Sequence, residues 1–280
     1  MQDTALPSIE LLHGSHDEPA VFTAAGFIRH RLGSTPGPAG RLPRYCLMGF
    51  EAAHYQRLRR RFPSCSTLSL RPGNPYLLFA FEGVPMAYID CGVGAPASAM
   101  VLEETCELGA EVCLFTGSCG GLSDGILHRD LILPLRAVRD EGTSFHYEPP
   151  SRYSLPDAEL CDTLRDSLSV RGLRFRETSV WTTDAPYRET AGKIRRLLAD
   201  GCEAVDMESA ALFAVAKFRG CRIAGLLSAR DSLAGGAWRP SLPRRPESGL
   251  SMDAVLEAGL RALRAWHHRR SEKEPARRSS

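Results

Sequence analysis

The sequence predicts an α/β fold in which a central mixed β-sheet is covered by helices on both faces. Apolar, strand-like runs alternate with amphipathic stretches of helical length along most of the 280 residues, a pattern typical of strand–helix–strand units. Because the sequence has no internal repeat and no clean linker, a single domain is predicted at residues 45–268. A helical segment and a loop are predicted at 1–44, and a disordered charged tail at 269–280.

The individual elements are predicted from apolar runs and from the turn residues between them. Helices are expected at residues 20–32, 51–61, 96–108, 157–170, 189–199 and 252–267. Strands are expected at residues 45–50, 76–81, 85–91, 111–116, 130–138, 174–182 and 221–228. The pair Glu82-Gly83 between two strands predicts a hairpin. A further strand ends at Asp206 and leads directly into a helix rich in alanine.

Composition excludes several classes of protein. Hydrophobic residues make up 43% and charged residues 24% of the chain, as in an ordinary soluble globular protein. A net charge of +2, with no Lys/Arg stripe between aromatic residues, predicts no nucleic-acid partner, and no apolar run approaches the length of a membrane span. The N-terminus does not resemble a signal peptide. Nine cysteines without a Cys-x-x-Cys pair predict free thiols in a reducing cytoplasm and no metal site.

Two carboxylates flank Met207 where the strand gives way to the alanine-rich helix. Asp206 and Glu208 are costly to bury unless a donor binds them. A sugar diol is one such donor, because one carboxylate can accept hydrogen bonds from two adjacent hydroxyl groups. The alternative is an exposed acidic turn stabilised by the helix dipole.

Two glycine-rich stretches follow predicted strands. Gly92-Val-Gly94 opens a helix, where free N–H groups can meet an anion, although Ala97 replaces the third glycine of a dinucleotide fingerprint. The second stretch, 117–121, follows the next strand. Such turns at the carboxyl ends of strands predict a ligand-binding crevice.

The G-x-S-x-G pattern around Ser123 matches the nucleophile elbow of serine hydrolases. That elbow requires a helix directly after the serine, whereas this sequence continues as a turn and a strand. The pattern therefore does not favour a serine hydrolase.

Taken together, these motifs resemble the nucleoside phosphorylase and nucleosidase superfamily, in particular its uridine-phosphorylase-like members. The matching segments, in order, are 92–94, 116–122, 139–147, 181–190, 204–211 and 228–233. The resemblance implies a single-domain nucleoside phosphorylase fold and cleavage of a nucleoside's N-glycosidic bond by phosphate or by water, with no cofactor other than inorganic phosphate as co-substrate. It also implies a homodimer or a hexamer built as a trimer of dimers.

The resemblance assigns the sugar and the base to separate residues. Glu208 is expected to accept from the ribose 2′- and 3′-hydroxyls, with Met207 against the sugar and Asp206 beside it. Asp231 is expected to protonate the leaving base as a general acid, and Arg230 to hold that proton in place or to contact the base.

Two neighbouring residues are expected in the base pocket, Tyr187 by stacking and Arg188 by binding a carbonyl group. Both are implied by the resemblance, because they fall where family members form that pocket.

At the nucleophile site the sequence departs from the family pattern. Ala53 and Phe115 stand where phosphorylases carry two phosphate-binding arginines, and each lost charge-assisted contact costs roughly 1.5–3 kcal/mol. The remaining candidates for a phosphate or water site are Ser118, Gly94, Gly49, Arg71 and His54.

The nucleophile therefore stays open at the level of sequence. Phosphorolysis to free base and ribose 1-phosphate is the leading prediction, because uridine-phosphorylase-like members carry most of the other motifs. Hydrolysis is the close alternative, with His54 at the position of the nucleosidases' water-activating glutamate and Glu51 three residues earlier. A nucleoside-binding protein without catalytic activity is the third.

Overall fold

The computed structural model describes residues 18–34, 37, 40–240 and 252–273, and contains seven α-helices and ten strands within them. The helices are α1 Ala24–Leu32, α2 Ala52–Arg61, α3 Ala95–Glu107, α4 Ala158–Val170, α5 Ala191–Ala199, α6 Ser209–Arg219 and α7 Met252–Lys273. The strands are β1 Tyr45–Gly49, β2 Ser66–Arg71, β3 Asn74–Phe81, β4 Val84–Asp90, β5 Val112–Gly121, β6 Leu131–Asp140, β7 Tyr153–Ser154, β8 Phe175–Thr183, β9 Cys202–Asp206 and β10 Arg222–Ser232. In this part of the chain, no helix is both long enough and apolar enough to cross a bilayer.

All ten strands belong to one mixed sheet. Strands β5, β10, β6, β8 and β9 close into a ring, because β5 pairs with both β10 and β9. Strands β1, β4, β3 and β2 continue outward from β5 as an open wing. The ring and the wing thus share β5.

Helices cover both faces of the sheet, which confirms the predicted fold class. On one face α1, α3 and α6 pack on a core that includes Ile28, Leu102 and Phe213. On the other face α2, α4 and α7 pack on a second core that includes Leu164 and Leu260. Burying one apolar face of each helix in this way is the main source of stability in such a layered fold.

Phe115 lies at the centre of the first core. Its ring contacts Phe50 and Phe213 and fills the space above Gly225, where an added Cβ would lie 2.2 Å from the Phe115 ring. An arginine at position 115 would place a charge in this core, so the apolar residue is required by the packing. Phe115 stands where phosphorylases carry a phosphate-binding arginine, and in this chain that position belongs to the core.

The predicted hairpin around Glu82-Gly83 is confirmed by β3 and β4, and the predicted helices and strands appear with shifted ends. The sequence analysis missed β2 and the two-residue strand β7. One prediction is corrected. The glycine-rich stretch 117–121 is the end of β5, because it pairs with β10 along its whole length.

The predicted start of the disordered tail at 269 is also corrected, since α7 continues to Lys273. Arg269 and Arg270 form ion pairs with Asp166 and Glu159, which extend the helix along α4. Residues 274–280 of the predicted tail and 1–17 of the predicted N-terminal segment lie outside the described residues.

Candidate active site

A cavity of about 340 Å³ opens where β1, β5, β9 and β10 end and where the loops after β4 and β8 meet them. It is lined by Phe50, Glu51, Val93, Ser118, Cys119, Gly120, Pro186, Glu189, Val205, Asp206, Met207, Glu208, Arg230, Asp231 and Leu233. Segments far apart in sequence therefore contribute to one wall.

Glu208 is a buried carboxylate held by backbone donors. Its Oε1 accepts from the Gly94 N–H at 2.7 Å, and its Oε2 from the Met207 N–H at 3.2 Å. Gly94 has a φ of 97°, which favours glycine, so the turn before α3 can direct its N–H into the cavity. Burial and the nearby Asp206 raise the pKa of Glu208 to about 7.

Asp206 points into the protein, although part of it reaches the cavity wall. Its Oδ1 accepts from the Thr182 hydroxyl at 2.8 Å, and its Oδ2 accepts from the Ser209 N–H at 3.0 Å and from the Ser209 hydroxyl. Both oxygens are therefore engaged at the start of α6. Burial raises its pKa to about 6, and these contacts give Asp206 a structural role at the start of α6.

A bulge in β10 places Arg230 and Asp231 on the same side of the strand. Ala229 pairs with Cys119 and Asp231 with Gly120, which leaves Arg230 as an extra residue. Neighbouring residues in a regular strand point to opposite faces, and a bulge removes that alternation. Both side chains consequently line the cavity.

Arg230 binds Glu51 across the cavity. Its Nη2 donates to Glu51 Oε1 at 2.8 Å, although the two residues are separated by 179 positions in the chain. Glu51 follows β1 directly and is half-buried. Its Oε2 lies 3.7 Å from Nε2 of the fully buried His54, whose pKa is lowered chiefly by burial.

The cavity is acidic. Five carboxylates line it, at Glu51, Glu189, Asp206, Glu208 and Asp231, and Arg230 is the one Lys or Arg side chain that the described residues contribute to its wall. Burial, followed by the charge of Asp231, raises the pKa of Glu189 to about 7.

The two predicted base-binding residues face outward. Tyr187 is fully exposed, Arg188 is exposed, and neither lines the cavity. They lie in the 3₁₀ turn Pro186–Arg188, in which residues three apart share a face. Pro186 and Glu189 therefore face the cavity, and the prediction for Tyr187 and Arg188 is corrected.

The predicted nucleophile-site residues are only partly brought together. Ser118 lines the cavity, and Gly94 reaches it through Glu208. His54 lies behind Glu51, and Gly49 packs against Tyr88, whose hydroxyl would lie 2.3 Å from an added Cβ. Neither lines the cavity.

Arg71 lies at a separate cavity of about 1030 Å³ between α1 and α3. There its guanidinium forms a two-point ion pair with the buried Glu104, so its charge is already neutralised. Within one chain, Arg71 does not supply the missing phosphate-binding charge.

Other expectations concern Ser123 and metals. Ser123 is followed by a turn and by β6, so it lacks the helix of a nucleophile elbow. Throughout the described ranges, no group of His, Cys, Asp and Glu side chains is arranged to hold a metal ion.

The sequence analysis missed Glu189 and Trp238. Glu189 stands three residues after Pro186, and this spacing was the available signal. Trp238 lies in a loop that no pattern in the sequence indicated, and its indole N–H donates to Asp231.

Comparisons with known proteins identify the family of this chain. A model of the phosphorylase superfamily matches residues 44–256. A guanosine phosphorylase from Halorubrum lacusprofundi is 26% identical over 56% of this chain and 65% of its own, and a uridine phosphorylase from Thermococcus kodakarensis is 33% identical over 38% and 39%. The chain thus spans less than two thirds of either relative.

Solved structures share this fold. An AMP nucleosidase from Bacteroides thetaiotaomicron superimposes with a TM-score of 0.68 and 21% identity, covering 89% of this chain and 100% of that one. At this identity the similarity concerns the fold.

Proposed function

We propose that this chain, which belongs to the phosphorylase superfamily, is an enzyme that hydrolyses the N-ribosidic bond of a nucleoside. The observation that carries the choice of water is the acidic cavity wall, in which five carboxylates surround a single arginine already bound to Glu51. A phosphate dianion in this cavity would be repelled by those of the carboxyl groups that are ionised. Water carries no such charge.

Glu208 and Met207 form the ribose end of the proposed site. Glu208 is held rigidly by the Gly94 and Met207 N–H groups, and its carboxylate can accept from both ribose hydroxyls once it is ionised. Because its pKa is raised to about 7, ribose binding should strengthen as pH rises toward 8.

Asp231 and Glu189 form the proposed base end. Asp231 acts as the general acid that protonates the leaving base. Glu189, with a pKa raised to about 7, keeps its proton below that pH and donates to an acceptor on the base. A guanosine phosphorylase and purine nucleoside phosphorylases among the relatives support a purine base, whereas a uridine phosphorylase supports a pyrimidine.

Glu51 is the proposed general base. It takes a proton from water as the water oxygen attacks the anomeric carbon. The C1′–N bond breaks, its electron pair goes to the base nitrogen, and Asp231 supplies the proton there. Arg230 holds the Glu51 carboxylate through the 2.8 Å contact, and the step requires no cofactor.

Phosphorolysis is the second candidate, favoured by the phosphorylases among the relatives. Arg230 and Ser118 on the cavity wall would then bind phosphate, and Glu51 would have to release Arg230.

The test uses purified protein with adenosine, guanosine, inosine and uridine in ¹⁸O-labelled water, with and without phosphate. Mass spectrometry of the sugar distinguishes the reactions. We expect ribose that carries ¹⁸O at a rate independent of phosphate. Ribose 1-phosphate that forms only with phosphate would overturn hydrolysis while leaving bond cleavage in place. Binding of nucleosides without release of base would overturn both.

We further propose a homodimer or a hexamer of three dimers in the cytoplasm. Support comes from Val21, Phe22, Met100 and Phe218, exposed apolar side chains on or next to the wall of the larger cavity. Light scattering after size-exclusion chromatography tests this, and a monomer at micromolar concentration would contradict it.

A further inference from the structure

Trp238 is a largely exposed aromatic residue with a specific polar contact. Its side chain is 65% exposed, and its indole Nε1–H donates to Oδ2 of Asp231 at 2.8 Å. Trp238 does not line the cavity, so it contacts Asp231 from outside the space proposed for the substrate.

The loop that carries Trp238 is closed by reciprocal backbone hydrogen bonds. The Ser232 N–H donates to the Arg239 carbonyl at 3.0 Å, and the Arg239 N–H donates to the Ser232 carbonyl at 2.7 Å. The Arg239 guanidinium also binds Asp124 at 2.7 Å and the Ala234 carbonyl at 3.1 Å. These contacts fix the position of Trp238 relative to the end of β10.

The second oxygen of Asp231 is directed toward the cavity wall. Oδ1 lies over Gly120, where an added Cβ would be 3.2 Å away, and both residues line the cavity. Asp231 thus presents one oxygen on the cavity side while Trp238 holds the other.

We propose that Trp238 is a positioning residue for the general acid: its indole N–H orients the Asp231 carboxyl and stabilises the carboxylate that remains after the proton has moved to the leaving base. This inference rests on the proposed role of Asp231. As the C1′–N bond breaks, the proton leaves Oδ1, and negative charge develops on a group whose Oδ2 already accepts from Trp238. A donor placed where charge develops contributes more in the transition state than in the ground state.

Trp238→Phe removes the donor and keeps an aromatic ring. We expect kcat on nucleosides to fall about tenfold, the usual size for one hydrogen bond to a developing charge. Trp238→His returns an N–H donor and should restore part of this loss.

The matched substrate is 4-nitrophenyl β-D-ribofuranoside, whose leaving group departs without protonation. Its kcat should change less than about twofold in Trp238→Phe, because the general acid is not used. A purely structural role would slow nucleosides and the nitrophenyl riboside equally.

Asp231→Asn, measured beside these variants, distinguishes the positioning role of Trp238 from the general-acid role of Asp231. If Asp231→Asn slows nucleosides selectively but Trp238→Phe slows neither or slows both substrates equally, the inference is wrong and the role of Asp231 stands. If Asp231→Asn shows no selectivity between the substrates, the general-acid assignment fails, and the inference about Trp238 fails with it. Thermal unfolding of each variant confirms that it is folded at the assay temperature.

Discussion

Glu208→Gln should inactivate the enzyme and stabilise the protein at alkaline pH. The wild-type carboxyl is buried, and its pKa is raised from 4.5 to about 7 by burial and by Asp206. Between these two values the native state holds a proton that the unfolded state has released. The free energy of unfolding therefore falls as pH rises through this window, and the full loss is present above pH 7.

The size of this loss follows from the shift. At about 1.4 kcal/mol per pKa unit, it amounts to roughly 3 kcal/mol above pH 7. The glutamine amide accepts through one oxygen only, so one of the N–H groups of Gly94 and Met207 loses its acceptor, at a cost of about 1 kcal/mol. The net gain at pH 8 is therefore about 2 kcal/mol, or roughly 4 °C in Tm for a chain of this size.

Urea denaturation at pH 8 and at pH 4.5 measures the difference directly. We expect Glu208→Gln to be more stable than wild type at pH 8 and to lose most of this advantage at pH 4.5, where the native carboxyl is protonated and about half of the unfolded carboxyl is too. The control is Glu107→Gln, an exposed glutamate on α3. A Glu208→Gln variant that is equally or less stable at pH 8 would refute the reasoning.

Three further variants test other parts of the site. Glu51→Gln should lower kcat by about 10²-fold or more with little change in KM, and unchanged kcat would remove Glu51 as the base. Above about pH 7, ionisation of Glu208 favours binding, whereas ionisation of Glu189 removes a donor and opposes it. Glu189→Gln should remove the opposing part, because the amide stays a donor, so KM should fall more steeply with pH in the variant than in wild type; identical KM–pH curves would contradict this. Asp206→Ala should cost about 2–3 kcal/mol in urea unfolding, since Thr182 and Ser209 lose their acceptor, whereas a neutral effect would contradict the structural role.

The sequence predicted the features of the site that depend on a few neighbouring residues, namely two turns at the edge of the sheet. The Asp206-Met207-Glu208 turn lies inside a few positions of one strand end, so its place at the edge of the sheet followed from the alternation of strands and helices. The start of α3 at the Gly92-Val-Gly94 turn followed in the same way.

The orientation of side chains and the contacts between residues far apart in the sequence could not be predicted from neighbouring residues. Asp206 is one methylene shorter than glutamate, and its carboxylate oxygens accept hydrogen bonds from Thr182 and Ser209. The Glu51–Arg230 contact depends on the bulge in β10 and on a ring of strands that no local pattern encodes.

The Glu51–Arg230 contact also joins two mechanical parts of the molecule. Glu51 follows β1, the first strand of the open wing, whereas Arg230 belongs to β10 in the closed ring. A closed ring has no free edge and resists shear, while the wing is tied to it by pairing with β5 and by the helices packed on the sheet. The ion pair therefore ties the wing to the ring at the cavity wall, so the hydrogen bond that holds Glu51 in place also joins these two parts of the sheet.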